Sequence, residues 1–163
     1  MLYHKYKPLA ARVYCTGLAL LLVLSEVFSS NVQDTLPGFS RIMRLGLTGC
    51  AVLLLAGKII LLTGYEARWQ KVLIAVVLVY TAFSSWYGGD LWFFLAALVG
   101  LGAKDVDWET ALRVYLVTAV AGLVLVQLLH FATPLMPYKF YCRNWDFGYG
   151  HYNGFGARLV GVF

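Results

Sequence analysis

The chain has 163 residues, of which 61% are hydrophobic and only 13% charged, with a mean hydropathy of +0.73. Soluble domains carry about half apolar and about a quarter charged residues, so this composition excludes an ordinary soluble domain. The 13 Lys and Arg against 8 Asp and Glu give a net charge of +5, with the cations scattered between apolar segments. That scatter excludes a nucleic-acid interface and favours contact with anionic membrane lipids or a lipid-linked anion.

The apolar segments set the predicted fold class. In lipid the backbone must satisfy its own hydrogen bonds, and the long, unalternating apolar runs favour helices over a barrel. We therefore predict an all-α, multi-pass transmembrane helical bundle with about five spans and a C-terminal external loop. The fourth span, with about 13 residues, is shorter than a spanning helix normally needs, so we expect it to be tilted, re-entrant or buried. In chain order the spans are predicted at about residues 13–28, 45–62, 72–87, 91–103 and 114–133.

Isolated polar residues within these segments add a few constraints. Glu26 is expected to reach the interface, and Lys58 to extend its stem so that its ammonium stays hydrated among the head groups.

The three cysteines, Cys15, Cys50 and Cys142, have no CxxC spacing, so we infer neither a metal site nor a disulfide framework. The basic N-terminus lacks a cleavage site after its apolar run, and we interpret it as part of a retained first helix.

The distribution of basic residues predicts the orientation, because Lys and Arg concentrate on the cytoplasmic side. With the N-terminus inside the cytoplasmic (inner) membrane, the loop 134–158 lies outside. The cytoplasmic set is then Lys5, Lys7, Arg12, Lys58, Arg68, Lys71, Lys104 and Arg113. The external set is Arg41, Arg44, Lys139, Arg143 and Arg158.

The segment 138–158 is the densest polar region of the chain, with the sequence YKFYCRNWDFGYGHYNGFGAR. Its glycines permit close backbone approach to a ligand, and its arginines offer planar forks that match phosphate oxygens. The GxGxxxG spacing after a helix does not fit the dinucleotide fingerprint. An interfacial loop with aromatic anchors is the plain interpretation, and a site for an anionic, sugar-bearing ligand is the functional one. The candidate site residues are Lys139, Arg143, Asp146, His151, Asn153 and Arg158.

The run from Arg143 to Asn153, RNWDFGYGHYN, resembles the signature of bacterial O-antigen and capsular polysaccharide polymerases, the Wzy-like family. That signature is roughly an Arg followed by F/L-G-F/Y-G-H-x-N, and the preceding DWET segment is also similar to the family's N-terminal half. Tyr152 stands where the family pattern has proline. Members of the family usually have ten or more spans, so the resemblance implies that this chain is an N-terminal fragment.

The resemblance implies the joining of oligosaccharide repeat units carried on undecaprenyl diphosphate at the outer face of the cytoplasmic membrane, without a cofactor or metal. A complete chain would then be a glycosyltransferase, with other polysaccharide-assembly proteins as partners. Arg143 and Arg158 would stabilise charge on the leaving diphosphate. His151 would act as the catalytic residue by taking a proton from the acceptor hydroxyl, or would donate to a phosphate oxygen. Asn153 would orient sugar hydroxyls, Asp146 would fix an arginine, and Lys139 completes the substrate-binding set.

Two other classes of protein compete with this hypothesis. The first is a small, non-catalytic membrane accessory protein that binds a lipid-linked glycan or a partner subunit. The second is a transporter fragment, which ranks last because the sequence shows no inverted repeat and its charged residues lie near helix ends.

Overall fold

The computed structural model of the chain describes residues 2–28, 30–65, 67–133, 140–141 and 144–145, with side chains for 6–28, 30–65 and 67–133. The helices are α1 (Leu2–Glu26), α2 (Val32–Thr35), α3 (Pro37–Gly57), α4 (Arg68–Gly88), α5 (Trp92–Gly102) and α6 (Trp108–Ala132). Helix α3 continues without a break into a π-helical turn at Lys58–Leu62. Apart from one pair of two-residue strands, the regular structure of the described residues is helical, which confirms the predicted fold class.

Four of the described helical segments are long and apolar enough to cross a membrane. At about 1.5 Å per residue, a segment of about 20 residues spans the roughly 30 Å of a hydrocarbon core. The predicted span at 91–103 forms α5, which has only 11 residues and is too short to cross on its own. The four long segments are Tyr6–Glu26, Pro37–Leu62, Arg68–Gly88 and Trp108–Ala132.

Three helices begin earlier than the hydropathy pattern predicts. Helix α1 starts at Leu2, α3 at Pro37 and α6 at Trp108, in each case within a polar stretch. Proline suits the first position of a helix because it lacks only an N–H that has no partner there. At the start of α6 the Asp107 carboxylate accepts hydrogen bonds from the backbone N–H and the hydroxyl of Thr110, at 2.9 and 2.8 Å. These local signals begin a helix before its apolar run does.

The outer face of α4 carries large apolar side chains that the rest of the described chain leaves exposed. Val76, Val79 and Phe83 are all exposed, and Trp86 and Tyr87 at the C-terminal end are 86% and 87% exposed. A continuous apolar surface of this kind is costly in water and is expected where lipid is the solvent. Aromatic residues at a helix end also suit the boundary between hydrocarbon and water.

Helices α4 and α5 are joined by a tight turn whose hydrogen bonds are all local. Gly89 adopts a left-handed conformation with φ of +68°, which a glycine accepts without strain. The Asp90 carboxylate accepts a hydrogen bond from the Trp92 backbone at 2.9 Å, and the Ser85 hydroxyl accepts one from the Phe94 backbone at 3.1 Å. The turn therefore satisfies part of the free backbone at the start of α5.

The described residues form two compact units, each with its own core. The first contains the chain through Leu18 together with Cys50–Ala111, and the second contains Ala19–Gly49 and the chain from Leu112. In the first unit, a Cβ added at Gly17 would lie 2.9 Å from Cγ of Leu55, and one at Gly102 would lie 3.3 Å from the Tyr14 ring. These two glycines thus allow the close helix packing that is typical of membrane bundles.

In the second unit, Glu26 at the end of α1 packs against Gly122 of α6. A Cβ at position 122 would lie only 2.9 Å from the Glu26 Cβ, and Glu26 is 7% exposed. Gly122 thus lets the two helices approach closely enough to bury Glu26, and the prediction that Glu26 lies at the membrane interface stays a prediction, at the end of the span Tyr6–Glu26. Phe28 and Phe39 meet nearby with ring centroids 6.4 Å apart.

Candidate functional site

The six site residues predicted from the sequence lie outside the described residues, and their assignment stays a prediction. The described part of that segment is a short antiparallel ladder between β1 (Phe140–Tyr141) and β2 (Asn144–Trp145). Phe140 pairs with Trp145, and Tyr141 with Asn144. The predicted residues outside the described ranges are Lys139, Arg143, Asp146, His151, Asn153 and Arg158.

A second polar site, inside the first unit, centres on Lys58. This residue begins the π-helical turn and is 0% exposed, although it lies in an apolar segment. Its ammonium donates a hydrogen bond to the backbone carbonyl oxygen of Lys104. The prediction that the Lys58 ammonium stays hydrated is therefore wrong, because Lys104, two residues after α5, supplies a carbonyl acceptor and the whole Lys58 side chain is buried. Helix C-termini leave carbonyl groups free for such a donor.

Lys104, just after α5, joins that helix end to the connection before α4. Its Nζ donates to the Gly64 carbonyl oxygen at 2.7 Å and lies 4.3 Å from the centroid of the Tyr65 ring. The second contact is a cation–π interaction, worth about 0.5–1 kcal/mol where water is near. The Lys104 backbone carbonyl thus accepts a hydrogen bond from Lys58, while the Lys104 side chain contacts Gly64 and Tyr65.

Asp105 supplies the acidic group of this polar site. The site consists of Lys58, Thr63, Tyr65, Lys104 and Asp105, and we call it the Lys58 cluster. It is half-buried and has a left-handed backbone with φ of +64°, which aspartate tolerates better than most residues. Its Oδ2 atom is buried and has no hydrogen-bond partner among the residues that the structure describes. The carboxylate acts electrostatically on both the Lys58 ammonium and the Tyr65 phenol. Opposite charge from Lys58 offsets the cost of burying the carboxylate oxygen.

Tyr65 and Thr63 form the polar end of the connection between the π-helical turn and α4. The Thr63 hydroxyl donates to the Lys58 carbonyl oxygen at 3.0 Å, and the Tyr65 hydroxyl is buried without a hydrogen-bond partner. Burial raises the pKa of Tyr65 and is the largest cause; the polar Thr63 side chain beside it lowers the pKa, and the Asp105 charge has a smaller raising effect. The phenol therefore stays protonated at neutral pH, with a hydrogen-bond donor to offer.

Beside this cluster lies a groove of about 520 Å³, which we call the boundary groove. It lies where the span Pro37–Leu62 ends and the span Arg68–Gly88 begins. One end is polar and the other is formed by aliphatic side chains. The polar end is lined by Thr63, Gly64, Tyr65 and Lys71, and the aliphatic end by Ile59, Ile60, Ile74, Ala75 and Leu78.

Sequence reasoning missed the Lys58 cluster for a physical reason. The signal was present, because a lone cation in a long apolar run is by default a candidate functional residue. Its acceptor is 46 residues away along the chain, and only the fold of α5 against the π-helical turn brings the two together. A π-helical turn is itself a frequent mark of a functional site, but it has no simple sequence signature.

Comparison with known proteins found no matching family model, no matching curated protein and no matching solved structure. The class of protein therefore follows from the chain itself. Within the described part of the chain, four apolar helices of membrane-spanning length and an exposed apolar outer surface define a multi-pass α-helical membrane protein.

Proposed function

We propose that the chain binds a glycan linked to undecaprenyl diphosphate and takes part in polymerising such repeat units into capsular or O-antigen polysaccharide. The observation that carries the proposal is the position of the run Arg143–Asn153. It begins shortly after α6, which is long and apolar enough to cross a bilayer. A polar segment at that point of the sequence is expected near the membrane boundary, where the head group of a lipid-linked glycan lies.

The residue types of the segment suit the chemistry of this reaction. When the bond between the sugar and the diphosphate breaks, negative charge accumulates on the diphosphate. Arg143 and Arg158 would stabilise that charge more in the transition state than in the bound substrate, which is the condition for catalysis. His151 would accept the proton of the attacking sugar hydroxyl, an effect typically worth about 10² to 10⁴ in rate.

The proposal is tested by measuring the binding of a radiolabelled undecaprenyl-diphosphate oligosaccharide to the full chain in lipid nanodiscs. We expect Arg143→Ala to weaken binding about tenfold or more, and Arg143→Lys to restore only part of it, because lysine lacks the planar fork. Arg44→Ala is the matched control, since Arg44 is an exposed cation predicted on the same side. Equal binding by Arg143→Ala and Arg44→Ala would contradict the proposal.

The same preparation distinguishes a polymerase from a protein that only binds the lipid-linked glycan. Polymer formed from the bound repeat units, and lost in His151→Ala, supports a catalytic role. Binding that depends on Arg143 without any polymer favours a non-catalytic accessory protein that holds a lipid-linked glycan.

A further inference from the structure

The boundary groove has the two-part character of a lipid. Lys71 and Tyr65 line its polar end, and its other end is formed by aliphatic side chains such as Ile74 and Ala75. Because one span ends at Leu62 and the next begins at Arg68, the groove runs from the head-group region toward the hydrocarbon. A molecule that fills it must therefore have a polar head and an apolar tail.

The charges at the polar end favour an anion. Within the cluster, Asp105 faces Lys58, so these two charges largely cancel. Lys104 is held over the face of the Tyr65 ring, and Lys71 lines the groove as an exposed cation. Asp107 is occupied at the start of α6 by Thr110, and Glu66 lies outside the described residues. The described groups therefore leave two cations, Lys71 and Lys104, without a facing acid.

Tyr65, which lines the groove, also contributes a phenol that can donate a hydrogen bond. Among the described residues the buried Tyr65 hydroxyl has no hydrogen-bond partner, and the Thr63 hydroxyl donates to the Lys58 carbonyl oxygen. A buried hydroxyl without a partner is destabilising, and a phosphate oxygen is a strong acceptor for it.

We propose that the boundary groove binds an anionic phospholipid of the surrounding bilayer. Lys71 and Tyr65 hold the phosphate, Lys104 adds positive potential behind the Tyr65 ring, and an acyl chain lies along Ile74, Ala75 and Leu78. None of the residues that line the groove belongs to the segment 134–158, so this proposal does not depend on the proposed function. Basic pockets between membrane helices are a recurrent means of binding anionic head groups.

The test uses native mass spectrometry of the full chain, purified in detergent and supplied with phosphatidylglycerol or phosphatidylcholine of identical acyl chains. The unchanged chain is expected to retain phosphatidylglycerol in preference to phosphatidylcholine. Lys71→Gln should lower phosphatidylglycerol retention about fivefold, the effect of one cation near an anionic head group. Arg113→Gln, which changes an exposed cation outside the groove, should leave it unchanged.

The apolar end is tested separately. Ala75→Trp fills the groove with a ring and should reduce retention of both lipids, whereas Val79→Trp on the same helix lies outside the groove and should not. Both positions are exposed, so neither change should prevent folding.

Three results would overturn the proposal. The first is equal retention of the two lipids, and the second is equal retention by Lys71→Gln and Arg113→Gln. The third is displacement of the lipid by millimolar inorganic phosphate together with no effect of Ala75→Trp, which would identify a free phosphate site. Tyr65→Phe gives an independent check, because it removes only the hydroxyl and should weaken phosphatidylglycerol retention without changing the fold.

Discussion

The Lys58 ammonium donates a hydrogen bond to the backbone carbonyl of Lys104, 46 residues further along the chain. This bond joins the π-helical turn at the end of one membrane span to the end of the short helix α5. One carbonyl cannot compensate for removing an ammonium from water, since the penalty for a buried ion is several kcal/mol. We therefore expect the nearby Asp105 carboxylate to contribute to the stability of the buried Lys58 ammonium.

The first prediction concerns the electrostatic interaction between Lys58 and Asp105. Lys58→Met keeps the apolar stem but leaves the Asp105 carboxylate without its facing cation, so thermal unfolding in detergent should occur at a lower temperature. The double variant Lys58→Met/Asp105→Asn removes both charges and should recover much of the loss, as replaced buried ion pairs often do. A double-mutant cycle should give a coupling of about 1–3 kcal/mol. Strictly additive effects would show that the two residues do not interact.

The second prediction concerns the contact between Gly122 and Glu26. Gly122→Ala places a Cβ 2.9 Å from the Glu26 Cβ, a distance that real Cβ atoms do not tolerate, so the helices must move apart. We expect a loss of about 1–3 kcal/mol in the free energy of unfolding. Gly49→Ala is the control, because nothing lies within 4 Å of its added Cβ. Equal unfolding curves for the two variants would disprove the close packing.

The third prediction concerns Tyr65 at high pH. Because burial raises the pKa of Tyr65 in the folded chain, the unfolded chain loses this proton first as the pH rises above 10. The contribution of Tyr65 to stability is thus complete below pH 10 and is lost as the pH rises through the folded pKa. The ultraviolet difference spectrum between the unchanged chain and Tyr65→Phe should show a phenol that ionises later than ordinary tyrosine. Ionisation at the ordinary pH would contradict its burial.

The fourth prediction concerns orientation. With the N-terminus inside and α5 counted as a fifth crossing, the prediction is that Cys142 lies outside, and a membrane-impermeant maleimide added to intact cells should then label it. Crossings by the four long helices alone would leave it in the cytosol. Cys15 and Cys50 lie within membrane-length helices and should be replaced by alanine to leave Cys142 as the sole reporter. Labelling only after the cells are broken would place the segment 134–158 in the cytosol and remove it from any external glycan.

Hydropathy alone predicts the helices but not all of their ends or partners. The apolar runs locate the interiors of α1, α3, α4 and α6 because burial in lipid demands them. The first turns of α1 and α6 are polar, so hydropathy does not locate them. The start of α6 is instead stabilised by the Asp107 side chain. Hydropathy likewise marks the short segment that became α5 without showing that it supplies the acceptor for Lys58. Contacts between distant residues, such as Gly122 with Glu26, depend on helix packing that one sequence does not specify.

The most direct test of the central claim is to find where a lipid-linked glycan contacts the chain. An undecaprenyl-diphosphate oligosaccharide carrying a photoreactive sugar is irradiated with the full chain in nanodiscs, and the cross-linked peptides are sequenced by mass spectrometry. We predict cross-links within 134–158, reduced in Arg143→Ala and unchanged in Arg44→Ala. Cross-links confined to other parts of the chain, or none above the level given by an undecaprenyl lipid without diphosphate, would contradict the account.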